Sequence, residues 1–183
     1  MKYLIFGLGN SLEKHKNNRH NIGRKFVEEN KLGLDLSDAC IGGGSFIARY
    51  TIDNNIYTAY PEGLMMNDSG VSVNDAIRML SFLGEDIPVE NLILVHDDAD
   101  VPVGEIKFSK TGSSGRHKGV QSVIDELRTE DFMRVRIGIG RDLKENETIY
   151  DYVLSDVPEK QKELYEKAFI KAKEKILGII KKT

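Results

Sequence analysis

Lys2 to Leu8 is a nearly unbroken apolar run of strand length, and it stops at Gly9-Asn10. A polar loop follows, and then apolar residues at helical spacing, Ile22, Phe26 and Val27. The same order recurs downstream. Leu92 to Val95 is read as a second buried strand, and Val120, Val123, Ile124 and Leu127 as a later helical stripe. Strands alternating with helices constrain the chain more than any other feature. They predict an α/β sandwich whose central twisted sheet is mostly parallel or mixed, flanked by helices. Ser45 to Ile52 and Ile56 to Tyr60 flank Asp53-Asn54-Asn55 and are read as a hairpin. Glu105 to Phe108 and Arg134 to Ile139 alternate in character, as strands with one polar face would. Ala76, Ile77, Leu80 and Leu83 form another helical stripe, with Gly84 as its C-cap. Leu164, Ala168, Ala172, Ile176 and Ile180 form the last, on a helix whose many lysines are read as a solvated face.

The 183 residues suffice for one domain with a sizeable core, spanning residues 1–183 without repeat or linker. Met1 to Gly9 is too short to span a bilayer, and the N-terminus has no signal-peptide pattern. One cysteine, Cys40, cannot form an internal disulfide, which fits a cytoplasmic protein. A formal net charge of −3 excludes a general polyanion binder, so any affinity for nucleic acid must come from a local basic patch.

In such a fold the loops after the strands are the place for a site. Three stretches compete for it. After the first strand come Arg19-His20-Asn21 and a helix. His20 would lie near that helix N-terminus, where the imidazolium is disfavoured and the neutral form a general base needs is favoured. The alternative is a capping region in which His20 is incidental, with His15 exposed in the loop. Next, the strand at Leu92 to Val95 runs into His96-Asp97-Asp98-Ala99-Asp100. A carboxylate there could orient a histidine or help to bind a metal, or the stretch could be a polar turn before Pro102. Third is Gly112 to Val120, rich in glycine, small hydroxyls and cations. It has neither the P-loop nor the dinucleotide-binding spacing. A flexible loop leading to a helix N-terminus can bind a phosphate. Lys107, Lys110, Arg116 and Lys118 add charge, and Ile106 to Lys118 contains no acid.

Read together, the motifs Gly7-Leu8-Gly9-Asn10, Arg19-His20-Asn21-Ile22-Gly23, Met66-Asn67-Asp68-Ser69-Gly70, His96 to Gly104, Gly115 to Gly119 and Arg134 to Gly140 resemble bacterial-type peptidyl-tRNA hydrolases in order and spacing. The resemblance runs to Asp151-Tyr152-Val153-Leu154. It implies a monomeric α/β enzyme, without metal or other cofactor, that cleaves the ester between a peptide and the 3′-terminal ribose of tRNA. It assigns His20 as general base, Asp97 as its orienting carboxylate, and Asn67 and Asn10 as positioning amides for water, oxyanion and peptide. Met66 would pack against substrate, or equally belong to the core. Arg136 matches an arginine assigned to the tRNA 5′ phosphate.

Departures lie mainly in the third stretch. Where the family has Gly-Gly-His-Asn-Gly, this chain has Gly115-Arg116-His117-Lys118-Gly119. A protonated lysine cannot accept a hydrogen bond; Lys118, beside Arg116 and His117, is expected to meet a backbone phosphate at the tRNA acceptor end. The family's phosphate lysine falls on Ser109, which leaves Lys107 or Lys110 to replace it. Two other readings remain: a non-catalytic RNA-binding relative, and a metal-dependent phosphohydrolase using Asp97, Asp98 and Asp100.

Overall fold

A computed structural model describes residues 1–42, 44–50 and 56–181. Seven strands form one sheet: β1 (Tyr3–Gly7), β2 (Leu36–Gly42), β3 (Ser45–Tyr50), β4 (Ile56–Pro61), β5 (Leu92–Asp98), β6 (Ile106–Ser109) and β7 (Met133–Gly138). Their spatial order is β2-β3-β4-β1-β5-β7-β6. β1 pairs in parallel with β4 and with β5, and β5 in parallel with β7; the β2–β3, β3–β4 and β6–β7 pairs are antiparallel. The sheet is mixed, as the alternation of strands and helices predicts. The expected hairpin is the β3–β4 pair; its turn at Asp53-Asn54-Asn55 lies outside the described residues.

Central strands buried on both faces read as continuous apolar runs, and β1 is buried throughout. Tyr3 and Ile5 face one layer, where α1 (Ile22–Glu28) and the C-terminal α5 (Glu159–Ile180) supply Ile22, Phe26, Phe169 and Ala172. Leu4 and Phe6 face the other. There α2 (Ser69–Phe82) and α3 (Lys118–Leu127) supply Val73, Leu80, Val120 and Val123. The C-terminal stripe is buried at Ala168, Ala172 and Ile176, but Leu164 is exposed. α2 ends at Phe82, and Gly84 takes the left-handed conformation (φ 80°) just beyond it.

Two elements were not expected from the sequence. β2 is an edge strand, and α4 (Ile149–Leu154) is a short helix closed by a capping box between Thr148 and Asp151. A third difference matters more for the site. β5 does not end at Val95; its pairing with β7 continues to Asp98 opposite Gly138. His96 and Asp97 are therefore sheet residues, not part of a turn. α1 lies very close to this strand, because a Cβ at Gly23 would run into the Val95 carbonyl oxygen. That contact brings the turn before α1 onto the end of β5. None of the helices is long and apolar enough to cross a membrane, among the described residues.

Candidate active site

His20 sits in a single helical turn, Arg19–Asn21, that leads directly into α1. Both its neighbours are anchored. The buried Arg19 guanidinium donates to Ser155 Oγ and to the Asp156 carbonyl (2.9 Å), and lies 4.3 Å from the Tyr152 ring centroid in α4. The Asn21 side chain brackets Asn10, accepting its backbone N–H (2.7 Å) and donating to its carbonyl (2.9 Å). The imidazole between them has little freedom to drift.

Its Nδ1 lies 2.9 and 3.0 Å from the two carboxylate oxygens of Asp97, which is only 3% exposed. His117 reaches the same carboxylate, with Nε2 2.8 Å from Oδ1. The tautomer of His117 follows from its other contact. As N-cap of α3 it accepts the Val120 N–H at Nδ1 (3.2 Å), so the ring proton is on Nε2 and is donated to Asp97. His20 likewise donates Nδ1–H to Asp97, which leaves its Nε2 lone pair free. The two imidazole centroids are 4.7 Å apart. Burial alone would raise the Asp97 pKa, but the facing His20 and His117 outweigh it and hold the carboxyl well below the usual range.

A third histidine supports the pair. His96 is buried; its Nδ1 donates to the Asp97 carbonyl (2.7 Å) and its ring meets His117 edge-on, centroids 4.9 Å apart. Burial, and then the neighbouring His117, push its pKa down to about 3, so it is neutral. Its place in a motif was visible in the sequence, but not its packing role, because nothing local shows that β5 continues past Val95.

The expected substrate residues are placed less uniformly. Asn10 is buried, and its Oδ1 accepts the Met66 N–H (2.8 Å); its Nδ2 makes no hydrogen bond among the described residues and is the free donor. Met66 is corrected to a core residue: it is 4% exposed and its sulfur would lie only 2.4 Å from a Cβ at Gly119. It supports the start of α3 instead of offering substrate an open surface. Asn67, next to it on the turn Met66–Asp68, is exposed. Arg116 and Lys118 are exposed, Arg116 in a left-handed conformation (φ 69°), and the Lys118 ammonium lies 5.6 Å from the Tyr150 ring centroid. His15 is not exposed as expected. It is half-buried, bonded to Asn18 Nδ2 (2.9 Å), and burial lowers its pKa.

The acidic cluster does not converge. Asp97 faces the histidines, whereas Asp98 accepts the Asp100 N–H (2.7 Å) and pairs with Arg136 (3.2 Å), and Asp100 pairs with Arg141 (2.7 Å). The carboxylate-bound metal reading is thereby overturned. The ligand atoms of His20, Asp97 and His117 do lie within 4.8 Å of one another, but both nitrogens concerned are N–H donors to Asp97. Ligation there would require both rings to give up those protons.

On the sheet face beside α3, Lys107 stands opposite Arg136 in the β6–β7 pair, and Ser109 opposite Arg134. Lys110 lies beyond the strand end. Arg134 is 2% exposed and spends one nitrogen on the Glu130 and Phe132 carbonyls, so it is not an open contact.

The sequence and fold are similar to those of known proteins. The chain is 37% identical over 179 residues to a peptidyl-tRNA hydrolase from Thermodesulfovibrio yellowstonii, covering 97% of this chain and 91% of that one. It is 41% identical over 145 residues to the peptidyl-tRNA hydrolase of Ureaplasma parvum, covering 77% and 73%. The crystal structure of peptidyl-tRNA hydrolase from Acinetobacter baumannii superposes with a TM-score of 0.78 at 29% identity, covering 96% of this chain and 86% of that chain. The family model for peptidyl-tRNA hydrolase matches residues 4–183, and by that match and these relatives the chain belongs to the peptidyl-tRNA hydrolase family.

Proposed function

We propose that this protein hydrolyses the ester joining a peptide, or an N-blocked amino acid, to the 3′-terminal ribose of tRNA, and that it does so as a cytoplasmic monomer. The observation that carries the chemistry is the His20–Asp97 hydrogen bond, which leaves Nε2 as the unoccupied base. His20 Nε2 takes a proton from water as the water oxygen attacks the ester carbonyl. Asp97 stabilises the imidazolium that forms, and the proton then passes to the departing ribose oxygen. This is the base–orienter logic of serine hydrolases with water in place of the serine. Asn67 and the free Nδ2 of Asn10 are neutral donors suited to the developing oxyanion and the peptide main chain. His117 fixes the second side of the carboxylate.

tRNA is gripped through phosphates, which position without reading sequence. Directly opposite residues on one face of an antiparallel pair have Cβ atoms about 5 Å apart. That register favours Lys107 over Lys110 as the partner of Arg136 on the 5′ phosphate. Arg116 and Lys118 take backbone phosphate nearer the 3′ end.

The test is release of the blocked amino acid from N-acetyl-aminoacyl-tRNA in excess EDTA. The wild type is expected to cleave, and His20→Ala to lose about 10²–10⁴ in kcat. A wild type that binds this substrate without cleaving it would show an RNA-binding relative instead. Activity abolished by the chelator would reinstate a metal.

A further inference from the structure

We propose that Arg24 is a positioning residue for Asn10: its buried guanidinium holds together the two segments that orient the Asn10 amide, and so sets the affinity for the peptide portion of the substrate. The inference rests on the hydrolase reading above and concerns the same site.

The Asn10 amide is oriented by one bond. Its Oδ1 accepts the Met66 N–H at 2.8 Å. An N–H must meet an acceptor, so the other amide atom is Nδ2, the donor left for substrate. That orientation lasts only while the segment from Pro61 to Met66 stays beside the Asn10 turn. Ser11 ties the two at Leu64, whose N–H its hydroxyl accepts at 2.9 Å. Arg24 ties them at the other end of the segment. Its Nη1 donates to the Pro61 carbonyl (2.9 Å) and reaches the Asn10 carbonyl (3.4 Å). One nitrogen thus spans the residue that meets substrate and the end of β4, from which the chain runs on to that residue's partner.

The rest of the side chain fixes that nitrogen. Arg24 is 8% exposed and lies in the first turn of α1. Its Nε and Nη2 reach the two carboxylate oxygens of Glu28, one turn along the helix, at 3.1 and 3.3 Å. Nη2 also lies 3.5 Å from Glu62, and the guanidinium carbon lies 4.9 Å from the Tyr60 ring centroid. A planar fork of N–H donors can serve two carbonyls and two carboxylates at once; an ammonium on a flexible stem cannot hold that geometry. Gly9 makes the room, because a Cβ there would lie 2.5 Å from the Arg24 Cβ.

Seating α1 does not need this side chain. The Arg24 backbone N–H already bonds the Leu8 carbonyl (2.8 Å), and Gly23 already rests on β5. What the guanidinium adds is the link from Asn10 to Pro61. None of its bonds goes to His20 or Asp97 among the described residues. Its effect should therefore fall on binding of the peptide, a contact made in ground state and transition state alike. Loss of such a contact raises KM and leaves kcat.

The experiment measures KM and kcat for N-acetyl-aminoacyl-tRNA, and Kd for deacylated tRNA, in wild type, R24M, R24K and E28A, each also combined with N10A. R24M should raise KM about tenfold. Its kcat should stay within about twofold of wild type, and its Kd for deacylated tRNA, which carries no peptide, should not move. R24K keeps the charge without the fork and should recover only part of the loss. E28A, at a partly exposed position, should raise KM about threefold and carries the test if R24M does not fold. Combined with N10A, neither R24M nor E28A should raise KM further. A KM unchanged in both, a rise that persists in full beside N10A, or a loss confined to kcat overturns the inference while the hydrolase reading stands. A wild type that does not cleave the ester overturns both.

Discussion

Asp97 is one carboxylate serving two imidazoles, and the pair is held in turn by a third histidine that never meets solvent. His96 contributes to stability through what it refuses to do. Its folded pKa is about 3, against about 6.5 for a histidine in an unfolded chain. The native state therefore keeps His96 neutral while the unfolded state takes up a proton. Its contribution is complete above about pH 6.5 and is lost progressively as pH falls towards 3. Asp97, whose carboxyl is depressed, adds a second loss below about pH 4. His96→Asn keeps a donor near the Asp97 carbonyl and removes the titration. The urea midpoint of the wild type should drop between pH 7 and pH 4.5, and that of His96→Asn should drop less. Equal drops would show that His96 is not the source. At this scale the sequence was informative where a residue type has one chemical use. That His20 and Asp97 meet agrees with the pairing of a histidine before a helix with an acid at the end of an apolar run, although the run and Asp97 belong to one strand. Met66 was not legible, since a methionine is equally at home in a core or against a ligand, and only its contact at Gly119 decides.

Among the elements, legibility followed burial. β1 and β5 announced themselves because both faces of a central strand are covered. β2, an edge strand with the exposed Leu36, has no such pattern to read. α4 is six residues long, too short for an apolar stripe, and its one local signal is the capping box Thr148–Asp151. The close seating of α1 on β5 was also invisible, although it places His20 on Asp97. It depends on Gly23, whose missing side chain lets the helix backbone approach the Val95 carbonyl. Gly23→Ala must push α1 away from β5. We expect a loss of about 2–4 kcal/mol, read as a lower Tm, together with a fall in kcat as the His20–Asp97 bond lengthens. Full activity at wild-type Tm would mean that the seating is not constraining.

The whole molecule carries a net charge of −3, yet its substrate is a polyanion. Binding must then rest on a few placed cations, and it can be counted. Lys107→Ala and Lys118→Ala should each weaken tRNA binding and flatten its dependence on log salt by roughly one phosphate contact, a slope change near 0.7–0.9. Ser109→Lys, which adds a cation on the face of Lys107, should strengthen binding and steepen that slope. A slope indifferent to all three would move the tRNA to another face. The sheet order has a consequence for the time at which the site exists. β6 pairs only with β7 among the described residues, and β7 is made after it and slots between β6 and β5. A chain emerging from synthesis already owns His20, Asp97 and His117 when residue 117 appears. The segment that presents His117 stays untethered at its front until residue 138 is available to close the sheet. The growing polypeptide thus holds His20, Asp97 and His117 before it holds the sheet that brings them into register.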